Sequence, residues 1–300
     1  MTTLRLVPLA AALVLSAAAV GCEGRSELGE VAEVSKVAAI RAVLKGDAQG
    51  ASAAEAAPQG TGWATLKGVF TFEGDPPAMP EYSVNKDAET CAPGGAAPRQ
   101  EWLLVDPASR GIANIAVYAR DVSRVHEGSG PSDEELVFDQ AKCVFLTHVT
   151  AMTINQPVAV KNSDPVGHNT KIAGQNSSNQ TIPANGTVSW KAQREEAIPV
   201  EVRCSIHPWM ISYMLPRENR YFAVTGTDGS FEIPNLPAGE ELEIQLWHES
   251  ASGSQGALVV QTDAAKELKW DRKGRITVTL EENETREIKI AVPASAFRGM

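Results

Sequence analysis

From Trp63 onward the chain alternates apolar and polar residues in short runs separated by Gly, Pro, Asn and Asp. The runs are Thr65–Phe72, Ile112–Ala119, Cys143–Thr147, Pro157–Lys161, Thr187–Lys191, Val200–Cys204, Ser230–Ile233, Glu241–Trp247, Ile276–Leu280 and Glu287–Val292. A two-residue period sends alternate side chains to opposite faces of a pleated strand. The runs therefore predict strands with one buried face, and their spacing predicts an all-β chain of sandwiches. Roughly 240 residues of this texture predict two domains rather than one.

The first sixty residues differ. Met1–Arg5 carry a single positive charge, and Leu6–Val20 form an apolar run too short to span a bilayer. Together they predict a signal peptide over residues 1–21. The sequence Ala19-Val20-Gly21-Cys22 resembles a bacterial lipoprotein processing site, with cleavage before Cys22 and lipid on its thiol. Ala19 stands where that pattern usually has leucine, and plain secretory cleavage nearby is the alternative. Either route predicts export to the cell envelope, on the periplasmic or outer face if lipidated and secreted if not. Residues 22–61 contain a helix-period stretch, Val31–Leu44, and then the Ala/Gly/Gln/Ser-rich Gly46–Gly62. Such composition buries too little apolar area to order itself and predicts a tether. The expected contact with a membrane is through the lipid alone.

Charge narrows the partners. The chain has 27 Lys and Arg against 37 Asp and Glu, a net charge of −10, and loss of residues 1–21 moves it to about −11. Nucleic acid is excluded, because neutralising phosphates needs clustered bases.

The segment Thr225–Ile233, with its Asp228-Gly229 turn, leads through Leu236-Pro237-Ala238-Gly239 into the run Glu241–Trp247, a hairpin pattern. It resembles the end of a carboxypeptidase-regulatory-like repeat, a small transthyretin-like β-sandwich. Lys67-Gly68-Val69 and Gly111–Val117 are similar to that repeat's front half, far upstream. The expected segments are an N-terminal β segment at 62–134, a second module at 135–222 and the regulatory-like sandwich at 223–300. Either the middle module is inserted into one sandwich or the domains follow one another.

The chemistry concentrates in Val202-Arg203-Cys204-Ser205-Ile206-His207-Pro208-Trp209-Met210. A strand delivers a cysteine at its end, and one tight loop returns a histidine and then a methionine. Upstream, Asn162–Thr170 follows a strand and places His168 in a loop bent by Pro165 and Gly167. A soft thiolate, two imidazoles and a weak thioether are the donor set of a type 1 copper site. These residues resemble the cupredoxins, closest in loop length to the amicyanin and pseudoazurin group, over about residues 140–215. The flanks further resemble methylamine-utilisation-like bacterial lipoproteins. The resemblance implies one copper ion held by His168, Cys204, His207 and Met210. It also implies a loop-locking hydrogen-bond role for Asn169, and Pro208 and Trp209 covering an exposed edge of His207 that serves as electron exit.

Other readings compete. With Cys22 in the export signal, the remaining cysteines are Cys91, Cys143 and Cys204. The expected pairing is Cys91 with Cys143, leaving Cys204 free as a ligand; a disulfide between Cys204 and either partner is the alternative. Structural zinc lacks a second pair of strong ligands, and Met214 is a fallback axial donor. His126, His148 and His248 read as structural or surface residues, and the Asn-x-Ser/Thr sequons at Asn176, Asn179, Asn185 and Asn283 as polar loops. There is no His-x-His pair, Cys-x3-Cys loop, Gly-x-Ser-x-Gly or His-Glu-x-x-His sequence. The expectation is accordingly a one-electron carrier serving a redox partner protein, and not an enzyme. A non-redox envelope binding module or a copper store is the alternative.

Overall fold

The computed structural model describes residues 62–300. The expected signal peptide, Cys22 and the tether at 22–61 lie outside the described residues. Alternation determines burial at once: in β1 (Trp63–Glu73) every second residue, from Ala64 through Leu66, Gly68 and Phe70 to Phe72, is buried. Fifteen strands follow. They are β2 (Ala116–Ala119), β3 (Leu136–Ala141), β4 (Val144–Phe145), β5 (Val149–Thr153), β6 (Val158–Asn162), β7 (His168–Ile172), β8 (Ser178–Ile182) and β9 (Thr187–Trp190). Then come β10 (Val200–Arg203), β11 (Ile211–Arg217), β12 (Phe222–Val224), β13 (Ser230–Pro237), β14 (Glu241–Trp247), β15 (Arg275–Thr279) and β16 (Thr285–Pro293). The only α-helices among the described residues are short, α1 (Ala88–Cys91) and α2 (Asp263–Glu267). The chain is an all-β sandwich protein.

The strands form four sheets, in the orders β13-β1-β16, β12-β2-β14-β15, β5-β11-β10-β7-β8 and β4-β3-β6-β9. Strand β1 lies between two strands of the C-terminal segment, antiparallel to β13 and parallel to β16. Strand β2 likewise lies between β12 and β14. Residues 62–134 and 222–300 thus build the first two sheets together, and the chain between Leu136 and Arg217 builds the other two.

Each pair of sheets encloses apolar residues. Leu66, Phe70, Ile112, Ile115 and Val117 pack with Ile233, Ile244, Leu246, Ile276 and Ile290. Phe138, Met152, Val158, Val160, Ile172, Val202 and Met214 pack in the second pair, together with Cys91, Cys143, Cys204 and Met210. Each such side chain contributes about 1.5–3 kcal/mol by leaving water. A third cluster, Ala116, Tyr118, Val149, Leu215 and Trp247, joins the two pairs.

Arg217 seals that junction. Its guanidinium donates to the carbonyls of Ala119 (2.9 Å), Arg120 (3.0 Å) and Glu196 (3.1 Å), and lies 4.8 Å from the centre of the Tyr118 ring. The tip of the β12–β13 turn is equally constrained. Gly229 has φ +76°, and a Cβ there would stand 2.2 Å from the Phe70 carbonyl oxygen. Only glycine lets this turn of the C-terminal segment close against β1.

Candidate metal centre

Strand β10 ends at Arg203, paired with Ile211 of β11, and the residues between them form a closed loop. The Cys204 N–H donates to the Met210 carbonyl (3.2 Å), and the Met210 N–H donates to the His207 carbonyl (2.9 Å). This folds Cys204 and His207 inward from one short segment. The N–H groups of His207 (3.4 Å) and Asn169 (3.5 Å) point at the Cys204 sulfur, a setting that favours thiolate. Asn169 Oδ1 accepts from the Ser205 N–H (2.7 Å), and its amide donates to Asn179 Oδ1 (2.7 Å). Asn169 therefore ties the cysteine loop to the strand that carries the other histidine.

That strand corrects one expectation. His168 is not in a loop; it is the first residue of β7, paired with Ile182 of β8. His168, Asn169 and Thr170 are all buried, so no alternation marks the strand in the sequence.

Three donor atoms converge. His168 Nδ1 and His207 Nδ1 are 2.9 Å apart, and Cys204 Sγ lies 3.9 Å from the first and 3.8 Å from the second. Bonds of about 2.0 Å to nitrogen and about 2.3 Å to sulfur at trigonal angles separate such atoms by roughly 3.5 Å and roughly 3.7 Å. The sulfur distances fit a single ion directly, and the two nitrogens fit after parting by about half an ångström. Met210 is buried in the same apolar cluster as Cys204.

The outer nitrogens complete the case. His168 Nε2 donates to Asp164 Oδ2 (2.8 Å), and His207 Nε2 donates to Asp87 Oδ2 (2.8 Å). Ionised carboxylates only accept, so each Nε2 carries its ring's proton and neutral rings turn two Nδ1 lone pairs toward each other. Two lone pairs at this separation beside a thiol require a proton or a cation between them. The donor set, one sulfur and two imidazole nitrogens with carboxylates behind them, fits copper.

Without a metal the shared position belongs to a proton. Burial opposes charge on His168, but Asp164 and the Cys204 sulfur outweigh it and raise its pKa to about 9. Burial likewise disfavours the Cys204 thiolate, yet His168 and the N–H groups of Asn169, His207 and Ile206 bring its pKa below the ordinary value. His207 moves the other way: burial lowers its pKa, Asp87 only partly compensates, and His168 adds repulsion. In the metal-free site the proton is thus held by His168 in preference to His207, and the Cys204 thiol is drawn toward ionisation.

Cys91 and Cys143 form a disulfide with Cα atoms 5.0 Å apart, and Cys204 is the free, buried cysteine among the described residues. Both disulfide sulfurs lie within 4.8 Å of a His207 ring nitrogen. Trp209 is buried, donates from Nε1 to the Cys143 carbonyl (3.0 Å) and packs with its ring centre 5.2 Å from that of His207.

The expected exposed edge of His207 is absent. The ring is 0% exposed because Asp87, from the segment before α1, covers Nε2, while Pro208 turns to solvent. Sequence reasoning missed both carboxylates. Asp164 had a signal, standing four residues before His168 in the quoted loop; Asp87 had none, being 120 residues from its partner. The remaining histidines stay apart from the centre. His148 pairs with Glu249, His126 lies edge-on to Trp63, and His248 is buried beside Ser250 and Phe297.

No protein-family model matches the chain, and no curated protein matches it in sequence. Among solved structures, a reduced Cu(I) form of a mutant amicyanin is similar at 16% identity, covering 34% of this chain and 98% of that one, with a TM-score of 0.26. Amicyanin from Paracoccus versutus is similar at 13% identity over 35% of this chain and 99% of that one, TM-score 0.26. A copper-containing nitrite reductase from Thermus scotoductus SA-01 matches at 14% identity over 28% of this chain, TM-score 0.27; the match spans 23% of the reductase. An enzyme thus stands among the similar structures, and this corrects the expectation, drawn from missing motifs, that the chain is not an enzyme.

Proposed function

We propose that this chain is an exported cupredoxin-like protein that holds one type 1 copper ion and passes single electrons to and from a redox partner protein. The observation that carries the reading is the convergence of Cys204 Sγ, His168 Nδ1 and His207 Nδ1, with each imidazole's outer nitrogen held by a carboxylate. Cys204 would give the strong thiolate bond, the two histidines would complete the plane, and Met210 would be the weak axial donor. Copper in such a setting supplies a one-electron couple with an intense visible absorption.

The chain's own residues make the centre rigid. Asp164 and Asp87 fix the tautomer and orientation of the rings, and Asn169 locks the cysteine loop to β7. A site held this way rearranges little when its charge changes. In this proposal the copper module, about residues 135–222, is inserted into a regulatory-like sandwich, and Cys22 anchors the whole to a membrane by lipid.

Loading the purified protein with Cu(II) tests the reading. An intense visible band that bleaches with one equivalent of reductant and returns on reoxidation supports it; a protein that stays colourless contradicts it. Copper storage is the second reading, favoured by the complete burial of His207. A coloured protein that exchanges no electrons with small redox mediators would support storage.

A further inference from the structure

The covering of His207 is part of a closed circuit. Asp87 has φ 49°, a left-handed conformation that Asp tolerates better than most residues. Its carboxylate reaches back to His207 Nε2, while its carbonyl accepts from the N–H groups of Thr90 and Cys91 (2.9 Å each) and so starts α1. Four residues later α1 ends at Cys91, which is bonded to Cys143. The Cys143 N–H donates to Asp164 Oδ2 (2.8 Å), and that same oxygen accepts from His168 Nε2 (2.8 Å). The circuit then closes through the two Nδ1 atoms. Each end of the disulfide is thereby linked to the carboxylate behind one imidazole.

Exposure shows which part faces water. The Asp87 side chain is 34% exposed and the His207 side chain 0%. Asp87 is the layer between the ring and solvent, and the strap that carries it comes from outside the two sheets that build the centre.

We propose that the strap Lys86–Cys91 is a lid on the metal centre: Asp87 is a positioning residue for His207, and the Cys91–Cys143 bond pins the lid shut. The lid sets the rate at which small reagents and metal reach Cys204. Its metal arm rests on the copper reading above; its thiol arm does not.

The test begins with metal-free full-length protein, disulfide intact, and iodoacetamide. Mass spectrometry follows modification of the peptide that contains Cys204. Wild type reacts slowly, because the sulfur is buried. Asp87→Ala removes the carboxylate that accepts from His207 Nε2, and the reaction speeds up about tenfold or more. The variant Cys91→Ala/Cys143→Ala, which frees the strap's other end, speeds it at least as much. Asp87→Asn retains a carbonyl oxygen for the same N–H and stays near the wild-type rate. Dependence on urea separates a lid from loss of the whole fold. Local opening gives a rate insensitive to low urea, whereas global unfolding gives one that climbs with the surface exposed; the latter result counts against the lid.

In the copper arm, Asp87→Ala and the double cysteine variant lose metal to a chelator faster than wild type by a similar factor, and Asp87→Ala also shifts the visible band. Equal alkylation rates in wild type, Asp87→Ala and the double variant overturn the lid, even if the protein is blue. Faster alkylation of the two variants, alongside a wild type that takes up no copper, sinks the copper reading and leaves the lid standing.

Discussion

Asp164 offers a sharp test of how the centre is held. Its side chain accepts from three donors and faces no acceptor: the N–H of Lys142 (2.6 Å) on Oδ1, and the N–H of Cys143 (2.8 Å) and Nε2 of His168 (2.8 Å) on Oδ2. Asp164→Asn is isosteric, yet either orientation of the amide turns an NH2 group toward a donor. With the oxygen toward Lys142, two buried donors lose their acceptor; with the oxygen toward Cys143 and His168, the Lys142 N–H, which water reaches, is left facing the amide. Asn takes the second orientation, so the cost is the opposed Lys142 N–H and two bonds that were made to a charged oxygen, about 1–3 kcal/mol of destabilisation. For a folded region of this size that lowers the melting temperature by roughly 2–12 °C. Thermal and urea unfolding of the metal-free protein measure it, with Asp164→Ala as control; the Ala variant, which leaves both buried donors unmet, should be the less stable of the two. Destabilisation of Asp164→Asn by less than about 0.5 kcal/mol would refute the claim that Asp164 organises the centre through acceptors alone. The contrast with Asp87 is instructive, because a residue that meets one donor at the protein surface tolerates the same substitution.

Three further outcomes follow from other parts of the fold. Burial lowers the pKa of His248 to about 4, so the unfolded chain takes up a proton there first as pH falls. Stability from this group is fully present above about pH 6.5 and is lost as pH falls through about 4, up to about 3 kcal/mol, and His248→Gln should flatten that acid limb in urea titrations. Gly229→Ala forces a positive φ on alanine and a Cβ into the Phe70 carbonyl, so urea unfolding should show a loss of about 2–4 kcal/mol, where a loss below about 0.5 would deny the tight closure against β1. Arg217→Met leaves the carbonyls of Ala119 and Glu196 unmet at the junction between the two sheet pairs; we expect about 2–4 kcal/mol of destabilisation in the same assay.

What the sequence revealed follows from what is local. Strand β1 shows itself because one face meets a core and the other is only half-buried, whereas β14 alternates through Ile244 and is then buried on both faces, Trp247 entering the apolar junction. Cys204, His207 and Met210 are legible because a single loop carries them, and His168 because it follows a strand. Strands β7 and β8 were invisible: the first is buried at three successive positions, and the second, Ser-Asn-Gln-Thr-Ile, is almost wholly polar. Partnership was equally hidden. Nothing in β1 says that it lies parallel to β16 at the far end of the chain, and no period marks Asp87, whose role depends on a left-handed turn and a disulfide. Patterns identify elements and donors, whereas long-range pairing decides what stands behind them.

In the copper reading one sulfur and two imidazole nitrogens bind the same ion. X-ray absorption at the copper edge on the loaded protein tests it most directly. We expect one short copper–sulfur bond and two copper–nitrogen bonds, with the sulfur neighbour lost in Cys204→Ala. A copper surrounded only by nitrogen and oxygen in the wild-type protein would contradict it.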